Sequence, residues 1–163
     1  MQRLMITAAL GALASTALAA GPEYTTIHME IDVAKPAKEV WAKVGDYCDV
    51  GEWLKVECKI ASGNGDVGTV RVLLGGRVTE VLIGKTDLSY GYTTPPTEGQ
   101  FYNLYHGYLE AKPVTATTSK LLYTLVYDVS DKADQAAKDA DIKRRRGMFE
   151  GALKTMKEIA EAP

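Results

Sequence analysis

Phenylalanine is nearly absent from this chain: there are two, against nine tyrosines. An aromatic core built from it must therefore carry hydroxyl groups, each of which needs a partner when buried. Histidine and cysteine are also scarce, with two of each. His28 and His106 fall in separate segments with no clustered acidic pair beside them, which excludes an ordinary histidine-based metal site. No glycine-rich loop runs into a helix, so a phosphate-binding loop is excluded; the glycines at 63, 65 and 68 sit between two strand patterns. The net charge of −2 comes without a basic face, which argues against nucleic acid as a partner.

Long apolar runs are absent too, apart from one at the start. Met1-Gln2-Arg3 is followed by only apolar and small residues from Leu4 to Leu18, and Ala17-Leu18-Ala19 fits the small-x-small rule for signal peptidase. The run of about 15 residues is shorter than the roughly 20 that a membrane span requires. The expectation is a signal peptide over residues 1–19, with cleavage after Ala20 and a retained anchor as the alternatives. That leaves one domain, residues 20–163, periplasmic or secreted, with no stable membrane insertion. In an oxidising compartment Cys48 and Cys58 are expected to form a disulfide; the alternative is two thiols too far apart to bridge, which geometry decides.

Along the chain, Ile27, Met29, Ile31 and Val33 alternate over a first strand, Thr25 to Val33. Pro36 and Ala37 open a short helix over Lys38 to Val44, and a second short helix or turn covers Asp49 to Leu54. Strands are expected over Val56 to Ala61, Thr69 to Leu74, Arg77 to Ile83, Leu88 to Thr94, Gln100 to Lys112 and Lys120 to Val129, with Gly75-Gly76 as a two-residue hairpin turn. The last segment, Lys132 to Glu161, has a helical stripe: Ile142, Phe149 and Met156 recur at seven residues, as do Arg145, Ala152 and Ile159. The order β, α, α, six β, α gives an α+β domain, a curved antiparallel sheet of about seven strands gripping a long C-terminal helix.

Four segments then resemble a known family. Val40-Trp41-Ala42-Lys43-Val44-Gly45-Asp46-Tyr47, Asp66-Val67-Gly68-Thr69-Val70-Arg71, Val78-Thr79-Glu80-Val81-Leu82 and Tyr105-His106-Gly107-Tyr108-Leu109 are similar, in this order, to landmarks of the START-like (SRPBCC) superfamily, polyketide cyclase/dehydrase-like branch. The resemblance implies the helix-grip fold and an internal cavity for a small hydrophobic molecule. Its exported bacterial members carry a cysteine pair where Cys48 and Cys58 stand. The chain departs from the plant hormone receptors of the superfamily. Their carboxylate-binding lysine falls on Val56, with Lys55 one place away, and the receptor gate and latch loops are missing.

Candidate site residues come from pairing and parity. A turn at Gly75-Gly76 sets Arg71 opposite Glu80 as a cross-strand ion pair, either facing the cavity or exposed on the surface. The apolar residues Val70, Val72, Val81 and Ile83 on the other face leave the parity open; the resemblance turns Glu80 inward. Tyr90 with Tyr92, Tyr123 with Tyr127, and Tyr105 with Asn103 share strand faces that the resemblance also turns inward. They form either a polar aromatic ligand lining or ordinary core packing. Arg145, between Ile142 and Phe149, could meet an anionic or phenolate ligand or join a solvated basic patch with Lys143, Arg144 and Arg146. Trp53 is placed at the pocket wall or in the core. Two functions follow: a lyase, cyclase or isomerase acting on a phenolic aromatic without a cofactor, with Glu80, Arg71 and Tyr105 catalytic; or a carrier or sensor of a hydrophobic small molecule.

Overall fold

The structure is a computed structural model, and it describes residues 21–96 and 104–163. The expected signal peptide and Asn103 lie outside those residues. Strand β1 (Tyr24–Val33) is followed by α1 (Ala37–Val44) and α2 (Val50–Trp53). Six strands come next: β2 (Cys58–Ser62), β3 (Val70–Leu73), β4 (Val78–Thr86), β5 (Ser89–Thr93), β6 (Tyr105–Pro113) and β7 (Ser119–Asp128). Helix α3 (Gln135–Glu161) ends the fold. The strands form one antiparallel sheet in the order β1-β7-β6-β5-β4-β3-β2. This is the helix-grip arrangement.

Alternation explains why the sheet has an inside. Along β7 every second residue is buried, so Leu121, Tyr123, Leu125 and Tyr127 face the core. Ile27, Met29 and Val33 of β1 and Leu109 and Ala111 of β6 extend that surface. Helix α3 lays Phe149, Ala152, Leu153, Met156 and Ala160 against it. Its start is set by Asp134, whose side chain accepts a hydrogen bond from the Ala137 amide at 2.8 Å. Gly107 is required by packing: its Cα partner is Tyr92, and a β-carbon there would come within 2.2 Å of Tyr92 Cζ.

The β3–β4 connection differs from a two-residue turn. The last pair is Leu73↔Val78, so four residues, Leu74 to Arg77, make the link through a short 3-10 turn. Leu74, Gly75 and Gly76 have φ of 55°, 67° and 90°. The register is unchanged by the longer loop, and Arg71 is paired with Glu80. Leu74 accepts a left-handed conformation that its side chain disfavours; its amide is held by the Glu57 carbonyl at 3.2 Å. The second strand also begins later than its apolar pattern implies, at Cys58 rather than Val56. Lys55, with φ of 57°, turns the chain just ahead of it.

Candidate functional site

A cavity of about 570 Å3 opens between the β3–β4 hairpin, the segment after α2, and α3. Apolar side chains supply most of its wall: Leu54, Val56, Leu73, Leu74, Val78, Met148 and Phe149. Its polar groups are Glu80, Thr94, Tyr105, Arg144 and Arg145. The size and the ratio suit one small, largely hydrophobic molecule held by a few directed contacts.

Glu80 and Arg71 are both buried, at 5% and 0% exposure, so the pair faces inward. Glu80 Oε2 accepts from Arg71 Nε at 2.7 Å and lies 2.7 Å from Nη2. Arg71 Nη1 donates to the Tyr47 carbonyl. The guanidinium is also enclosed by the rings of Tyr47, Tyr92 and Tyr90, at 4.1, 4.9 and 5.7 Å from their centroids. Arg71 does not line the cavity, so the expectation that it touches ligand is corrected: all its reach is taken by protein groups. Glu80 does line it, and its Oε1 has no hydrogen-bond partner among the described residues. Burial pushes the Glu80 carboxyl above its ordinary range, and the Arg71 charge opposes that shift.

The tyrosines divide into four situations. Tyr105 lines the cavity. Tyr92 and Tyr123 are packed behind it, their hydroxyls 2.7 Å apart; burial raises both well above the usual phenol range. Tyr127 is buried beneath Arg145 and raised to about 12, by burial first and then by the Asp141 carboxylate. Tyr90 lines a different cavity, of about 380 Å3, with Trp41, Tyr47, Asp46 and Lys85. The lining of the larger cavity is thus mainly aliphatic, and the expected tyrosine surface is a hydroxyl-rich layer one residue deeper. Trp53 is core, 2% exposed and edge-on to Tyr123 at 6.2 Å. The Trp53 indole N–H and the hydroxyls of Tyr47, Tyr90 and Tyr127 have no hydrogen-bond partner among the described residues.

Arg145 stands on the cavity side of α3. Its guanidinium lies 4.4 Å from the Tyr127 ring centroid and 5.2 Å from that of Tyr105. Nε donates to Asp141 Oδ2 at 2.8 Å, one helical turn back, and Arg144 Nη2 donates to Asp141 Oδ1 at 2.6 Å. Burial would raise the Asp141 pKa, but these hydrogen bonds and charges outweigh it and hold the carboxyl at about 2. Phe149 stacks on Tyr123 at 4.6 Å and closes the cavity floor. His106 sits on the outward face of β6, in register with Val126. Cys48 and Cys58 are bonded, with Cα atoms 5.6 Å apart, and the loop they close carries Leu54 and Val56 of the cavity wall.

Asp141, Tyr47, Arg144, Met148 and the aliphatic wall were not singled out from sequence. The four-residue spacing of Asp141 and Arg145 was a usable signal for a helical ion pair. Tyr47 had none, because it acts through a loop carbonyl and one ring face.

A family profile described as polyketide cyclase / dehydrase and lipid transport matches residues 24–161. The chain belongs to this family. Its fold is a hydrophobic-ligand-binding one, shared with several solved structures. A protein from Thermobifida fusca, solved by NMR, is 22% identical with a TM-score of 0.65, over 83% of this chain and 92% of that one. Ara h 8.0201 is 19% identical with a TM-score of 0.60, over 85% and 98%. The ZhuI aromatase/cyclase from a Streptomyces species is 19% identical with a TM-score of 0.60, over 85% and 94%. No match was found among curated protein sequences.

Proposed function

We propose that this protein is exported, binds a phenolic aromatic molecule in the 570 Å3 cavity, and converts it by acid/base chemistry without a cofactor. The observation that carries the reading is Glu80: one carboxylate oxygen is fixed by Arg71, and the other, on the cavity wall, has no partner among the described residues. A carboxylate whose pKa is raised by burial is suited to take a proton from a carbon next to a ligand carbonyl and to return it elsewhere. Such a transfer, followed by loss of water or migration of a double bond, is of the lyase, cyclase or isomerase type. Arg71 orients Glu80. Tyr105 supplies a donor to the ligand oxygen as the enolate or phenolate charge develops, and Arg145 supplies fixed positive charge on the cavity wall. The apolar run from Leu4 to Leu18 and the bonded cysteines support export to the periplasm or beyond.

A second reading, a carrier or sensor without turnover, draws on the aliphatic wall. The two separate in a screen of phenolic and polycyclic compounds that follows thermal stabilisation and product formation together. Turnover by the wild type that Glu80→Gln abolishes while binding persists supports the enzyme. Stabilisation with no product from any well-bound compound contradicts it and leaves the carrier.

A further inference from the structure

We infer that the ligand of this cavity carries a negative charge, a carboxylate attached to its hydrophobic body, and that Arg145 receives it; this rests on the ligand-binding reading of the same cavity. The buried Arg71 and the half-buried Arg145 are held very differently. Arg71 uses Nε, Nη1 and Nη2 on Glu80 and the Tyr47 carbonyl. Arg145 donates from Nε to Asp141 and has the Tyr105 hydroxyl beside it, but its Nη1 and Nη2 have no carboxylate or carbonyl acceptor among the described residues. A guanidinium presents its donors as a rigid fork that matches a planar carboxylate. The Arg145 side chain is 23% exposed and lines the cavity, so the free edge of that fork is not simply dissolved in bulk water.

Charge counting gives the same answer. Arg71 and Glu80 cancel. Arg144 and Arg145 share a single counter-charge, Asp141, which bonds both. Among the described residues the site therefore holds one positive charge more than it holds negative ones. The rings of Tyr105 and Tyr127 support the Arg145 guanidinium through their faces, which fixes its plane without using up its donors. The aliphatic wall of Leu54, Val56, Leu73, Val78 and Met148, with Phe149 below, takes the hydrophobic body. The arginine lies on the C-terminal helix, whereas Lys55, next to Val56 on the opposite wall, is exposed and does not line the cavity.

The test uses a matched pair of probes, 2-naphthoate and its neutral methyl ester, titrated by calorimetry into the full chain and variants. The wild type is expected to bind the carboxylate about tenfold or more tightly than the ester, the range of a charge-assisted hydrogen bond. Arg145→Met should remove the preference with little change in ester affinity, and Arg145→Lys should restore part of it. Asp141→Asn, which deletes the counter-charge, should increase the preference, a direction that loss of structure does not produce. Equal or stronger binding of the ester by the wild type overturns the anionic assignment while leaving the cavity reading in place. Absence of binding by both probes to folded protein, with the same result across neutral phenols, overturns the cavity reading itself.

Discussion

At the scale of the residue, Arg71 and Glu80 decide most. Each is buried against the other, so removing one leaves an uncompensated charge inside the fold. Arg71→Met is expected to cost less than Glu80→Gln, because an abandoned glutamate can take up a proton and an abandoned arginine cannot release one. Chemical denaturation should show Glu80→Gln destabilised by about 3–5 kcal/mol, the usual range for breaking a buried pair. The double replacement Arg71→Met/Glu80→Leu should recover much of that loss. Tyr92→Phe removes one end of the Tyr92–Tyr123 hydroxyl bond and strands the other; about 1–3 kcal/mol should be lost in the same assay.

Register made the pair legible before the fold was known. The turn was shorter on paper than in the structure, yet Gly75 and Gly76 sit at the centre of both versions, and a symmetric extension of a hairpin loop leaves the pairing intact. Facing was not legible from β3 and β4 alone, because Val70, Val72 and Val81 on the outer face are only half covered and look as apolar as the inner row. What decided it was the Tyr47 loop folding over Arg71, a long-range contact with no local signature.

At the scale of the element, two joints hold the cavity wall. The Cys48–Cys58 bond closes a loop with a sequence separation of 10 and fixes α2 to the edge strand β2. Replacing both cysteines by serine should lower stability by about 2–3 kcal/mol on the chain-entropy model. It should also weaken ligand binding, since Leu54 and Val56 lie inside that loop. Calorimetry on the oxidised protein and the double variant measures both effects. The second joint is the β5–β6 pair Tyr92↔Gly107. Gly107→Ala drives a methyl group into the Tyr92 ring, and a loss of about 1–3 kcal/mol is expected from overpacking. The α3 stripe was readable from its seven-residue recurrence. The depth of the tyrosines was not, because parity tells which face a side chain takes but not whether a neighbour covers it.

At the scale of the whole molecule, acid sensitivity reports on the α3 cluster. Asp141 is held at about 2 in the fold, below its ordinary 3.8. A depressed carboxyl contributes stability above its unfolded pKa and loses it as pH falls through the folded one. The melting temperature should therefore fall between about pH 4 and pH 2 in the wild type, and this part of the slope should be missing in Asp141→Asn. The helix-grip order and the pairing of the two cysteines were accessible from the sequence, since each rests on local pattern or on resemblance. The cavity wall was not, because Leu54, Val56, Leu73, Val78 and Met148 meet only when three separate elements converge.

The central claim is that a small aromatic molecule occupies the space between the β3–β4 hairpin and α3. It is tested most directly by calorimetric titration of a tight-binding phenolic or naphthoate ligand into the wild type and into Val78→Trp, a variant that fills the cavity from its wall. The account expects saturable binding of one ligand per chain in the wild type and its loss in the folded variant. Undiminished binding in Val78→Trp would place the ligand elsewhere and contradict the account.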